Sequence, residues 1–486
     1  MPPEAATLTA QALASPWGAL QAADSLLLAV LPVLAFWLLL SGIDDLSVDL
    51  LALWHRAQPV PPPPGVPRNE QRLAIFIPCW QESAVIAQML AHNTQALLYR
   101  NYIVFAGAYP NDPETLEAVQ EEARQDERIR LCVVPHDGPT SKADCLNWLF
   151  QHLLLEEESS GQRFRAVITH DAEDLIDPAS LNAVNRYIGA YDMVQIPVLP
   201  LPTAPGELTH GIYCDEFAES QGKDLAARVA AGGFLPSCGV GTAFSRRALE
   251  LLARSESNRV FDPGCLTEDY QIGYRIHQLG LPQIFLEAGP DLVATREFFP
   301  QSLSSAIRQR TRWISGIALQ GWQRNGWGRT WRERYWFWRD RKGLLGNPLS
   351  LLANLIFAYG AITFTIAQHA GRPWGLGQGV PVLVWPGIVF QVVRLVTRAV
   401  WTAKVYGWGF ALLTPLRAVW ANLINTAATV SATFRFGRSV FTGVPLVWLK
   451  TDHSFPSPEA LRNALPATAA TVAAAPVPRA RVVSRS

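Results

Sequence analysis

The chain has 486 residues, 49% of them hydrophobic and 17% charged, which is room for two or three modules and too little charge for a chain that faces water everywhere. Lys plus Arg and Asp plus Glu balance at 41 each, so no basic field argues for a nucleic-acid partner. The six cysteines form no C-x-x-C pair and have no His at zinc-finger spacing, so they read as free, mostly buried thiols in a reducing compartment.

The first predicted element is the uncharged run SLLLAVLPVLAFWLLLSGI between Asp24 and Asp44, long enough to cross a bilayer. No Lys or Arg precedes it, so it does not read as a cleavable signal. Residues 1–56 are assigned to this span. His55 and Arg56 beyond it place the N-terminus outside, although Asp44, Asp45 and Asp49 come first. Residues 57–69 form a stiff Pro-rich linker.

From 70 to 342 short apolar runs alternate with helical stretches. LAIFIP (73–78), YIVFAGA (102–108), RLCVVP (130–135), RAVITHD (165–171) and MVQIPV (193–198) read as buried strands, with helices at about 82–98, 112–126 and 141–157. The pattern predicts a mainly parallel α/β sheet with ligands at the C-terminal strand ends. All six cysteines lie here, which points to a cytosolic domain. Residues 343–404 hold two further spans, within 345–368 and 376–396. Residues 405–455 have basic residues at both ends and Arg417 inside, so an interfacial or re-entrant helix is expected, with a fourth span as the alternative. The Ala/Pro/Val-rich residues 456–486 read as a disordered tail.

Several motifs carry chemistry. In HDAEDLIDP (170–178) a strand delivers Asp171 to its end, and Glu173 or Asp174 adds a second carboxylate, a donor set for Mg²⁺ or Mn²⁺. An acidic turn capping the next helix has the same look. In LTEDYQIGYRIHQLG (266–280) Thr267 can cap a helix whose Ile272, Ile276 and Leu279 face inward, with Glu268 and Asp269 in its first turn. Asp269 beside a metal–diphosphate would equally serve as a general base.

QRTRW (309–313) lies in a basic helix before the second span. Its arginines suit phosphate, and its Trp suits a sugar face or the bilayer interface. Lys142 opens a helix in TSKADCLNWL, a good place for phosphate or for a solvated lysine. Asp112 ends the second strand as a ribose or base contact, or as the N-cap before Pro113. CGVGTAFSRRAL (238–249) is read as a glycine loop, with Gly239 and Gly241 allowing close backbone approach to a ligand.

Over residues 70–315 the order DAED, glycine loop, TED, Q-x-x-R-W and membrane span resembles the processive, membrane-embedded branch of glycosyltransferase family 2, which includes cellulose, hyaluronan and chitin synthases. The phrases FAGAYPNDPET, THDAEDLIDP, LTEDYQIGYR and PLVWLKTDHSFPS are similar, more narrowly, to the phage adsorption protein B type, over most of 20–457. The resemblance implies an α/β GT-A domain plus transmembrane helices, a UDP-sugar donor, Mg²⁺ or Mn²⁺, inversion at the anomeric carbon and a glycan acceptor. The narrower one implies an exported N-acetylhexosamine glycan made at the bacterial inner membrane, an outer-membrane partner and a homo-oligomer as a further possibility.

By that resemblance Asp269, with Glu268, matches the base. Asp171 and Glu173 match the metal motif, with Asp174 open as the alternative. Lys142, Glu82, Asp112, Asp171, Gln309 and Arg312 fall to the donor, and Trp313, Cys238 and Gly239 to the acceptor. DAE replaces the commoner DAD, and Asn111-Asp112 replaces an acidic pair. The residues after 457 are too few for the cyclic-di-GMP module often found in the narrower type, and RVVSR (481–485) is read as chance.

Overall fold

The computed structural model describes residues 16–58, 64, 65, 67, 69–255, 258–287, 293–444, 446, 455 and 456. Most of the Pro-rich linker, most of PLVWLKTDHSFPS, and the tail with RVVSR lie outside the described residues.

Nine strands are described: β1 Leu73–Pro78, β2 Tyr102–Ala108, β3 Ile129–Val133, β4 Ala166–Thr169, β5 Met193–Gln195, β6 Val198–Pro200, β7 Thr242–Ser245, β8 Gln283–Phe285 and β9 Thr295–Glu297. Seven form one sheet in the order β3-β2-β1-β4-β7-β5-β8, and β6 pairs with β9 in a second. Every pairing in the large sheet is parallel except those of β7, which runs antiparallel to β4 and β5. β1 shows why its sequence is apolar throughout. Leu73, Ile75 and Ile77 face one core with the helix Ile86–Ala96, while Ala74 and Phe76 face another with the helix Lys142–Ser160.

Three expectations are corrected. MVQIPV splits at Ile196-Pro197 into β5 and β6, which join different sheets because Pro197 has no N–H for a ladder. TAFS is β7, an interior strand between β4 and β5, rather than loop. Leu279 ends its helix 44% exposed, while Ile272 and Ile276 are buried.

Among the described residues two helices are long and apolar enough to cross a membrane, Gly18–Ala57 and Gly343–His369. The first rises about 30 Å between Asp24 and Asp44, matching a hydrocarbon core of about 30 Å. The acidic residues that complicated its orientation are neutralised locally. Asp44 accepts from Tyr335, Arg339 and Lys342 at 2.8, 2.6 and 2.6 Å, and Asp45 pairs with Lys342 and Arg394 at 2.7 and 3.1 Å.

The third expected span is the helix Val384–Tyr406, which does not reach the same apolarity because its C-terminal half docks on the α/β domain. Arg398 binds Glu219 at 2.7 Å, and Thr402 donates to Asp215 at 3.0 Å.

The segment expected to be interfacial contains one continuous helix, Thr414–Thr442. Ala421, Ile424, Ala428 and Ala432 are buried, and the helix packs on Leu208–Glu219 and Leu303–Trp313; Leu416, Val419, Leu423, Val430 and Phe434 are exposed. Arg417, the charge that interrupted the apolar run, is fully buried on Asp215 at 2.7 and 2.8 Å. Asp215→Ala would strand that guanidinium. It is expected to cost about 3–5 kcal/mol, read as a lower melting temperature in detergent, and unchanged melting would contradict this anchor.

Candidate functional site

One cleft gathers residues from distant parts of the chain. Pro78 ends β1 and Cys79, Trp80 and Glu82 follow it, Tyr109 follows β2, Lys142 opens the helix Lys142–Ser160, and Asp171, Ala172 and Glu173 follow β4. Because β7 is antiparallel, the Cys238-Gly239-Val240 loop before it reaches the same edge as the C-terminal ends of β1 and β4. Thr267, Glu268 and Asp269 line the cleft at the start of Glu268–Gln278, Glu297 and Phe299 from and beyond β9, and Gln309, Arg312 and Trp313 from Leu303–Trp313. It opens through Thr140, Ser141, Lys142, Leu266 and Glu268 onto a groove of about 850 Å³ bordered by Phe436, Ser439 and Val440.

The acidic turn after β4 divides its carboxylates. Asp174 is fully buried. Its Oδ2 lies 2.7 Å from His170 Nδ1 and accepts the Asp171 amide at 3.2 Å. Burial pushes its pKa up, opposed by His170. Asp174 is therefore corrected from candidate ligand to the residue that shapes the turn, and Asp171 and Glu173 face the cleft. Among the described residues no three His, Cys, Asp or Glu side chains converge as a metal cage. A small hard cation does not need one, since it takes one or two carboxylates and completes its shell with phosphate and water. Asp171 and Glu173 fit that role, and the Lys142 ammonium pairs with Asp171. Burial alone would lower the Lys142 pKa, but Asp171, Glu268 and Asp269 outweigh it and raise it.

The Thr267 side chain makes no cap hydrogen bond. It packs instead on Gly316, where a Cβ would lie 2.5 Å from the Thr267 methyl and hydroxyl. Asp269 Oδ1 accepts from the adjacent Tyr270 amide at 2.7 Å. Its other oxygen faces Gly239, whose φ is +84° and whose added Cβ would meet Oδ2 at 2.8 Å. Glycine there keeps space open at the Asp269 carboxylate. Burial raises the pKa of both acids; Glu268 is pushed up to about 7 with Asp269 adding to the rise, while Lys142 and Arg312 oppose it at both.

The three arginines of the basic helix separate. Arg308 is exposed, and Arg312 lines the cleft. Arg310 is buried on Glu216 at 2.9 Å and Asn425 at 2.6 Å, tying this helix to Thr414–Thr442. Trp313 packs with Phe299, Phe217 and Tyr213. Cys238 is held by its backbone, whose amide donates to Gln195 Oε1 at 2.9 Å.

Asp112 does not line the cleft. Its carboxylate caps Pro113–Gln125 at the Thr115 amide and accepts the Gln81 amide at 2.5 Å, the bonding expected of the capping alternative. Sequence reasoning missed Trp80, Tyr109, Glu297 and Phe299. The first two were legible as residues just past β1 and β2. Glu297 ends a three-residue strand that gives no periodic signal, and Phe299 lies just beyond it.

The family model described as glycosyltransferase like family 2 matches residues 70–316. Bacteriophage adsorption protein B of Escherichia coli strain K12 is 35% identical over 467 residues, covering 87% of this chain and 62% of that protein. Bacteriophage N4 adsorption protein B of Escherichia coli O157:H7 matches with the same figures. The chain thus spans less than two thirds of these relatives. Among solved structures, the mannosyltransferase PcManGT from Pyrobaculum calidifontis, in complex with GDP-Man and Mn²⁺, superposes with a TM-score of 0.50 at 17% identity, covering 83% of this chain and 99% of that one. At that identity the match establishes the shared GT-A fold.

Proposed function

This chain belongs to glycosyltransferase family 2, and from that premise we propose that it moves an N-acetylhexosamine, with inversion, from a UDP-sugar to a growing glycan at the inner face of a bacterial membrane. The observation that carries the reading is one cleft holding Lys142, Asp171, Glu173, Glu268, Asp269, Gln309, Arg312 and Trp313.

In this reading Lys142 and Arg312 hold the diphosphate by charge-assisted hydrogen bonds. Asp171 and Glu173 would hold Mg²⁺ or Mn²⁺, which supplies charge neutralisation for the departing UDP. Asp269 takes the proton from an acceptor hydroxyl as its oxygen attacks the anomeric carbon. Burial raises the Asp269 pKa, and Lys142 and Arg312 offset part of that rise. Trp313 offers a ring face to the acceptor sugar. Export of the product toward an outer-membrane partner is the finer part of the proposal. It is motivated by relatives whose names refer to bacteriophage adsorption.

The test is a panel of UDP-sugars with the purified chain, read by UDP release and product mass. A ladder of N-acetylhexosamine additions is expected. A single addition to a lipid-linked acceptor would replace the polymerase reading, and a protein inert toward every sugar nucleotide would point to a scaffold that has kept the fold.

The proposed topology puts residues 70–340, the helix Thr414–Thr442 and the C-terminal end in the cytosol, with the N-terminus and 370–376 outside. The exposed apolar face of Thr414–Thr442 then lies on the bilayer surface. A reporter fused after Ser486 is expected to be active only in the cytosol, and periplasmic activity would contradict an odd number of crossings.

A further inference from the structure

Glu297 stands at the edge of the cleft and none of the motifs accounts for it. β9 is held in place twice, by its parallel pairing with β6 and by reciprocal backbone hydrogen bonds between Arg296 and Leu175 at 2.7 and 3.0 Å. The second of these ties it to the acidic turn after β4. With the strand fixed, side chains alternate between faces. Phe298 packs on Leu175 and Leu201, while Glu297 and, one step on, Phe299 line the cleft.

The position of Glu297 distinguishes the two sides of the site. Trp80, Tyr109 and Lys142 come from the ends of β1 and β2 and from the helix after β3. Glu297 comes from the wall built by β6, β9 and Leu303–Trp313. Phe299 joins that wall to Trp313, stacking on Tyr213 at 4.9 Å between ring centres and meeting Trp313 edge-on at 6.5 Å.

Among the described residues the Glu297 carboxyl makes no hydrogen bond or ion pair, although the side chain is only partly exposed. Its carboxyl oxygens line the cleft and are left available to a ligand hydroxyl.

We propose that Glu297 is a specificity-determining acceptor residue, whose carboxyl hydrogen-bonds a hydroxyl of the acceptor sugar lying against Trp313. This rests on the sugar-transfer reading above. The carboxyl oxygens accept from a sugar hydroxyl, which is the contact the proposal requires.

The experiment uses the full chain with UDP-N-acetylglucosamine as donor and tri-N-acetylchitotriose as acceptor. Glu297→Ala should raise the acceptor KM about tenfold, while UDP release to water in the absence of acceptor and the melting temperature stay near wild type. Glu297→Gln, whose amide still donates and accepts, should recover most of the acceptor affinity. An unchanged acceptor KM in Glu297→Ala overturns the proposal. So does an equal loss of acceptor-independent UDP release, which would place Glu297 with the donor. A wild-type chain that releases no UDP from any donor of the panel above defeats the transfer reading itself and this inference with it.

Discussion

Asp269→Asn is expected to lower sugar transfer by about 10²–10⁴-fold, the worth of a positioned general base, while UDP affinity and melting stay near wild type. The competing role is structural, as an acid in the first turn of Glu268–Gln278. The local bonding limits what that role can contribute. Asp269 Oδ1 reaches only the next amide, Tyr270, and its other oxygen faces the open side of Gly239. A carboxylate acting on a helix dipole contributes about 1 kcal/mol or less, and Asn keeps the shape and the acceptor atom. The variant therefore separates the roles by rate against stability. Retention of most of the transfer rate would make Asp269 a helix-start residue and place the base elsewhere. Loss of UDP binding as well would place it with the donor.

Removal of divalent cations should abolish turnover, with Mg²⁺ or Mn²⁺ restoring it. The cleft carries Glu82, Asp171, Glu173, Glu268, Asp269 and Glu297 against Lys142 and Arg312, so a diphosphate entering it brings still more negative charge that a hard cation offsets. Asp171→Ala should cost roughly 10²-fold or more in rate. Asp177→Ala should do far less, because the Asp177 carboxylate accepts the Ala179 amide at 2.9 Å and is absent from the cleft lining. Full turnover in EDTA would contradict the assignment of Asp171 and Glu173.

The parts of this molecule legible in its sequence are those set by short-range pattern. β1 and β2 could be read as buried strands because both faces are covered and nearly every residue is apolar. Asp171 and Asp269 could be placed at a strand end and a helix start. What escaped depends on tertiary detail. Glu173 and Asp174 are adjacent and equally acidic, and only the buried His170 decides which of them turns inward. Asp112 followed by Pro113 was ambiguous until the Gln81 amide was found on its carboxylate. Arg417 looked like the charge that breaks an apolar run, and its partner Asp215 lies some two hundred positions earlier. β7 and β9 are too short to show a period of two, so Glu297 gave no local signal.

The central claim, that Asp269 acts as base on an acceptor in a metal–UDP-sugar cleft, is tested most directly by UDP release from UDP-N-acetylglucosamine with Mn²⁺ and tri-N-acetylchitotriose as acceptor. The purified wild-type chain and Asp269→Asn are measured side by side, with UDP binding measured on both. The account predicts equal binding and release at least about 10²-fold slower in the variant. Equal release rates from the two proteins would contradict it.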